Sequence, residues 1–335
     1  MELVHRPHAD NLVRFGAHRP EVVVLSADLT ASCEADTFRD TYPDRFFSLG
    51  LAEQNMMSFA AGMAREGYLP HVHTFAVFIC RRPFDQVAMS IGYPHLKVRL
   101  VGFLPGITTP GGVTHQAIDD VGLMRLIPNM TILDCGDATE VESALDVMDG
   151  VDGPAYVRML RGEVPRLFAA NDRMVLGRVR ELSRGTDLLV VSSGICTEEV
   201  LRAAGPLREQ GVALTHLHVN TLKPFDPRPV LDAAAAVRHG IITIENHSVI
   251  GGLGSVVAEA VAEAGLGKKL CRLGLQDCYA HGASRPYLMR RFGLDAAALV
   301  AAVERLIGAP LDIPERRLAS AVVSTLPKTE KVEDL

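Results

Sequence analysis

The stretch "SLGLAEQNMMSFAAGMAREGYLPHVHTF", Ser48–Phe75, reads as a glycine loop, a helical pattern and a strand in succession. From Ala52 to Arg65 apolar residues recur at helical spacing, and "LPHVHTF" from Leu69 is a short run of strand character. Glu53 fits its surroundings poorly. It stands in the first turn beside Leu51, Ala52, Met56 and Met57, in a segment otherwise built for burial. At a helix N-terminus the dipole favours an ionised carboxylate, whereas burial favours the protonated form. A group balanced between those forces is suited to sharing a proton with a bound base. Taken by itself, Glu53 is more simply a helix-start glutamate with its tip in water.

Outward from this stretch the same alternation continues. Strand candidates are "EVVVLSAD" at Glu21, "KVRLVGF" at Lys97, "MTILDC" at Met130 and "PAYVRML" at Pro154, with helical patterns at 84–91, 117–126 and 139–148. Apolar strands separated by helices imply a parallel sheet covered on both faces. The rhythm loosens from Arg166 to Gly185 and then resumes. "TDLLVVSSG", "VALTHLHVN", "GIITIEN" and "KLCRLGL" supply further strands, with helices at 197–209, 253–263 and 295–307. The expectation is an α/β chain of two consecutive domains, each a mostly parallel sheet with helices on both faces. Their ranges are 1–170 and 186–312, followed by a polar segment, 313–335, that is a tail or an arm packed on a neighbour.

The chain has 335 residues, enough for two cores that need no disulfide, and its 48% apolar and 22% charged content suits a globular enzyme. A net charge of −6 with no basic stripe argues against a nucleic-acid partner. No apolar run reaches bilayer-spanning length, and "MELVHRPHAD" has no basic region followed by an apolar one. The expected location is therefore the cytoplasm, with no membrane partner. The 6 cysteines are scattered without a CxxC, which fits reduced, buried thiols and argues against zinc.

Four features are candidates for chemistry. "ENHSVIGGLGSVVAEAV", from Glu245, has the strand–glycine–helix outline of a dinucleotide site, but Val257 stands where a third glycine belongs. A tight turn explains it better. His71 and His73 share one strand face without further ligands at metal spacing. His115, in "TTPGGVTHQAIDD", follows a loop at the carboxyl end of a strand, where such folds bind ligands, and a helix is expected within a residue or two. A capping role fits it equally well. Arg158 and Arg161 close the strand "PAYVRML", where guanidinium groups grip phosphate or, more commonly, pair with surface carboxylates.

"GLAEQNMMSFAAGMA", "TFAVF" at Thr74 and "GGVTHQAIDD" at Gly111 resemble, in order and spacing, the pyrimidine-binding domain of transketolases. "IENHSVIGGLGS" and "RRFGLD" resemble that family's C-terminal domain, so the likeness runs from about Arg6 to about Ile307. It implies thiamine diphosphate as cofactor. Glu53 matches the glutamate that hydrogen-bonds N1′ of the aminopyrimidine, favouring the imino tautomer whose exocyclic nitrogen takes the proton from carbon 2 of the thiazolium. Phe75 and Phe78 match aromatic residues enclosing the pyrimidine, and Leu51 falls near an apolar position supporting the bent cofactor. Asp28 resembles an aspartate near the cofactor at the domain interface. Ser32, His115 and Arg161 match substrate-binding positions, Ser32 and Arg161 for a phosphate, and Arg6 resembles another.

The same resemblance implies what is supplied from elsewhere. The family holds the cofactor's diphosphate through Mg2+ on a "GDG" with an asparagine downstream; this chain has no "GDG". A second, diphosphate-binding subunit is therefore expected, in an α2β2 heterotetramer inactive without it. Gly111 replaces a family acidic residue that reads a substrate hydroxyl, and Phe103 stands where many relatives have a histidine. Both departures, with "GITTPGG", point to specialised sugar substrates such as apulose 4-phosphate or sulfo-sugars. The alternatives are a 1-deoxyxylulose-5-phosphate synthase-like enzyme, the beta subunit of a 2-oxo acid dehydrogenase's decarboxylating component, a nucleotide-binding oxidoreductase and a non-catalytic assembly subunit.

Overall fold

The computed structural model describes residues 2–321 and 323. Its strands are β1 (Leu3–His5), β2 (Val22–Ser26), β3 (Phe46–Ser48), β4 (Leu69–Phe75), β5 (Arg99–Phe103), β6 (Thr131–Asp134), β7 (Ala155–Met159), β8 (Glu163–Pro165), β9 (Val179–Ser183), β10 (Leu188–Ser192), β11 (Leu214–Val219), β12 (Thr221–Lys223), β13 (Gly240–Ser248) and β14 (Leu270–Leu275). They build a seven-stranded sheet in the order β12-β6-β7-β5-β4-β2-β3, a five-stranded sheet in the order β14-β13-β10-β11-β9, and an antiparallel pair of β1 with β8. Within the first, β2 to β7 are parallel and β12 is antiparallel; within the second, only β9 is antiparallel. Every residue of β2, β4, β5, β6 and β7 is buried, as strands covered on both faces require. The expected α/β architecture of two mostly parallel sheets is present.

The two sheets share wiring. β12 comes from the second half of the chain yet closes the edge of the first sheet on β6. Arg158 lies between them and overturns its reading as a phosphate or surface arginine. It is 1% exposed; its Nε donates to Asp120 Oδ2 at 2.8 Å, Nη1 to Asp134 Oδ2 at 3.0 Å and Nη2 to the Asn246 carbonyl at 2.8 Å. Tyr156 donates to the same Asp120 oxygen at 2.6 Å. A guanidinium committed to two carboxylates and a carbonyl has no free fork for a ligand.

The histidines of β4 are likewise structural. His8 Nε2 lies 2.9 Å from His73 Nε2, and Phe103 packs edge-on against His8 with ring centroids 5.3 Å apart. Burial first, then the neighbouring His73, lowers His71 to about 3; burial lowers His73 to about 4. They are neutral core residues. No group of three or more His, Cys, Asp or Glu that could hold a metal occurs among the described residues.

Of the expected terminal segment, 315–319 forms a short helix on this chain's own helix Cys196–Glu209, with Leu318 buried and Arg317 paired to Glu209. Residues 322 and 324–335 of that segment lie outside the described residues. No helix among the described residues is long and apolar enough to cross a membrane.

Candidate functional site

The neighbouring strands β7, β5, β4, β2 and β3 end on one edge of the first sheet, so their following loops converge. Glu53 enters that edge from the loop after β3. It opens the helix Glu53–Arg65, whose buried face is Met56, Met57, Ala60 and Ala61. The helical period that buries those residues also buries Glu53, which is 2% exposed. This excludes the simpler expectation of a tip in water. Its Oε1 accepts a hydrogen bond from Arg82 Nη1 at 2.8 Å; Oε2 has no partner among the described residues. Leu51, 69% exposed, lines an open cleft of about 420 Å³ together with Ala52, Glu53, Gln54, Asn55 and Arg82.

The aromatic wall comes from the end of β4. Phe75 terminates the strand and precedes the short helix Ala76–Cys80, which carries Phe78. The two rings are 5.9 Å apart at 25°, an offset stack. His115 presents its ring edge-on to both, 6.1 Å from Phe75 and 5.6 Å from Phe78. It ends a single 3-10 turn, Val113–His115, and the next helix begins only at Asp120, later than the sequence pattern implied. Buried Gln116 explains the delay. Its Nε2 bonds the Thr109 carbonyl at 3.4 Å and the His281 carbonyl at 3.1 Å, holding the backbone extended and tying the loop to the second domain. Gly111 is exposed, and a Cβ there would lie 3.2 Å from His115 Cβ, so a larger residue would press on that histidine.

On the far side, Arg161 lies with its guanidinium carbon 5.8 Å from the Phe75 ring centroid, and its Nη1 donates to the Ser32 carbonyl at 2.8 Å. Ser32 sits in the 3-10 turn Ala31–Cys33. Asp28 is exposed, left-handed at φ 57°, and accepts from Ser48 Oγ at 3.0 Å. Arg6 pairs with Asp36, and its backbone N–H bonds the carbonyl of Gly162, next to Arg161. Contacts therefore join Phe75, Phe78, His115, Arg161 and Ser32 into one group; Glu53 is linked to it through Arg82, which lies over Phe78, and Leu51 lines the Glu53 cleft. Phe103 is fully buried against His8 and is not part of it.

Sequence reasoning missed Arg81 and Arg82. Arg82 lies over Phe78, 4.3 Å from its centroid, while bonding Glu53. Arg81 makes a bidentate pair with Asp119 at 3.0–3.1 Å and donates to the Gln116 carbonyl at 3.2 Å. The available signal was "RR" immediately after the aromatic turn "TFAVFIC".

The glycine loop of the second domain has a different occupant. Glu245 places Oε2 on the Leu253 N–H at 2.6 Å and Oε1 on the Gly254 N–H at 2.8 Å, filling the N-terminus of the helix Leu253–Glu263. A dinucleotide phosphate would need the same donors.

Residues 8–166 match the pyrimidine-binding domain of transketolases, and residues 177–299 match the transketolase C-terminal domain. The chain belongs to the transketolase family. The 6-deoxy-6-sulfo-D-fructose transketolase subunit SqwH of Clostridium sp. (strain MSTE9) is 38% identical over 89% of this chain and 92% of its own. An apulose-4-phosphate transketolase subunit of Actinobacillus succinogenes is 31% identical over 84% of this chain and 90% of its own. A solved split-gene transketolase, an inactive beta4 tetramer, superposes with a TM-score of 0.83 at 36% identity, covering 90% of this chain and 97% of that one.

Proposed function

We propose that this chain is the C-terminal subunit of a split, thiamine-diphosphate-dependent transketolase. It supplies the pyrimidine side of the cofactor site, and Glu53 carries the reading: a buried carboxylate with one oxygen unpartnered, in an open cleft beside stacked phenylalanines. The cofactor fits these residues. A flat, partly polar heteroaromatic ring needs an apolar wall and one acceptor for its ring N–H, and Phe75, Phe78 and Glu53 Oε2 offer both. When bound, the cofactor supplies the acidic carbon and the electron sink that two-carbon ketol transfer needs.

This chain's residues do the remainder. Glu53 holds a proton at the ring nitrogen facing Oε2. Leu51 supports the cofactor from the cleft wall. Met56 and Met57 back the carboxylate and exclude water from it. His115 binds substrate hydroxyls from the edge of the aromatic wall. Arg161, with Ser32, binds the substrate's terminal anion, and Asp28 borders the site where the partner docks. The diphosphate and its Mg2+ fall to a partner subunit, giving an α2β2 assembly in the cytoplasm. The presence of free cysteines, four of them buried, supports that compartment. The named substrates of the two relatives support a ketose carrying an anionic terminus as donor or acceptor, and exposed Gly111 leaves its loop open to an unusual one.

The test is reconstitution with the diphosphate-binding chain, thiamine diphosphate and Mg2+. Ketol transfer is expected only with both chains and is expected to collapse in Glu53→Gln. Full activity of that variant in an assembled complex would sink the reading.

A further inference from the structure

Arg81 and Arg82 are neighbours in sequence with different partners. Arg82 bonds Glu53 at 2.8 Å; Arg81 bonds Asp119 and the Gln116 carbonyl at 3.0–3.2 Å. Both leave the same short aromatic helix, Ala76–Cys80, whose Phe78 faces His115. We propose that this pair is a two-way positioning device: Arg82 sets the Glu53 carboxylate for the cofactor, and Arg81 sets the His115 loop for the sugar. The proposal rests on the transketolase reading and adds two residues to it.

A glutamate side chain has three torsions, and a carboxylate held by one contact at a helix start can rotate away from its task. A guanidinium is planar and rigid and donates along fixed directions. That of Arg82 lies over the Phe78 ring, 4.3 Å from its centroid, and is restrained by it. The chain Phe78–Arg82–Glu53 therefore refers Oε1 to the aromatic wall and leaves Oε2 to face the cleft. Ring and acceptor keep one relative geometry.

The other arm works on backbone. His115 has a side-chain contact with its neighbour Thr114 at 2.9 Å, and its turn spans only three residues. Such a loop needs an external tie. Arg81 provides one at the next residue, through the Gln116 carbonyl, and a second at Asp119, the residue before the following helix. Both arms start from the turn carrying the ring wall, so cofactor and sugar contacts are aligned to a common reference.

The experiment uses the reconstituted complex and separates the arms. Three quantities are read: thiamine diphosphate affinity by calorimetry, hydrogen–deuterium exchange at carbon 2 of the bound cofactor, and KM against kcat for the ketose donor. Arg82→Ala is expected to weaken cofactor binding and slow exchange by about 10- to 100-fold, a loss typical of misplaced reacting groups, with the donor KM unchanged. Arg81→Ala is expected to raise the donor KM about tenfold or more with exchange at the wild-type rate. The lysine variants are expected to recover part of each loss, and Asp119→Asn reports the same contact should Arg81→Ala fail to fold. Identical patterns for the two arginines, or tighter cofactor binding in Arg82→Ala, would overturn the proposal. An inactive Glu53→Gln beside an unaffected Arg82→Ala would sink only the arginine assignment; an active Glu53→Gln would sink the functional reading beneath it.

Discussion

Glu245 and Glu53 are both buried beside helix N-termini near glycines, and they have opposite fates. Glu245 spends both oxygens on the backbone donors of Leu253 and Gly254. Glu53, the first residue of its own helix, spends Oε1 on Arg82, and Oε2 has no partner among the described residues. The first is a closed cap: it satisfies donors that the helix would otherwise leave orphaned, and it adds a charge the dipole favours. The second is an open acceptor in a cleft. Burial and helix position do not separate the two glutamates; unfilled hydrogen-bonding capacity does.

The largest expected effect follows from that difference. Glu53→Gln keeps the shape and loses the charge, so turnover of the reconstituted complex should fall about 100- to 10,000-fold, the range for a lost acid–base group. Because no second partner is lost, its thermal unfolding should move little. Glu245→Gln reverses the pattern. Its amide offers one acceptor and two donors to a site needing two acceptors, so urea unfolding should report a loss of about 1–3 kcal/mol, with the chemistry retained. Gly252→Ala tests the same cap from outside. A Cβ there would overlap Glu245 Oε2 and force the carboxylate off the helix, so destabilisation of similar size is expected.

Acid separates the two regions further. His8, His71 and His73 belong to the first domain, and His216 to the second; burial lowers all four, His71 and His216 to about 3 and His73 to about 4. A histidine depressed in the folded state gives stability that is present above its unfolded value, about 6.5, and lost as pH falls below it. Each contributes a slope of about 1.4 kcal/mol per pH unit there. Domain-resolved hydrogen exchange between pH 7 and 5 should show the first domain loosening before the second. The smallest effect is expected at Gly62, inside the Glu53 helix, where an added Cβ meets nothing within 4 Å. Gly62→Ala should stabilise by about 0.5–1 kcal/mol in a denaturant titration.

Much of this was legible in the sequence. The strands of both sheets announced themselves because burial on two faces demands continuous apolar runs, as in "VVVLS" and "LLVVS". β1, β3, β8, β9 and β12 did not, since short edge or paired strands carry no such run. The tie of β12 to β6 is a long-range pairing that periodicity cannot signal. In the candidate site, Glu53, Phe75, Phe78 and His115 were singled out by the resemblance to transketolases, which rests on three short motifs. Arg158 was misread because one arginine at a strand end looks like another; only the fold shows Asp120 and Asp134 waiting for it. Arg81 and Arg82 were passed over because their partners lie 29 to 38 residues away in sequence.

If the open oxygen of Glu53 holds a proton at the cofactor's pyrimidine, removing its charge must slow proton loss from carbon 2. The most direct measurement is hydrogen–deuterium exchange at carbon 2 of thiamine diphosphate bound to the assembled two-chain complex, wild type against Glu53→Gln, without sugar. Exchange is expected to slow at least about 100-fold in the variant while the complex still assembles. Exchange at the wild-type rate would contradict it.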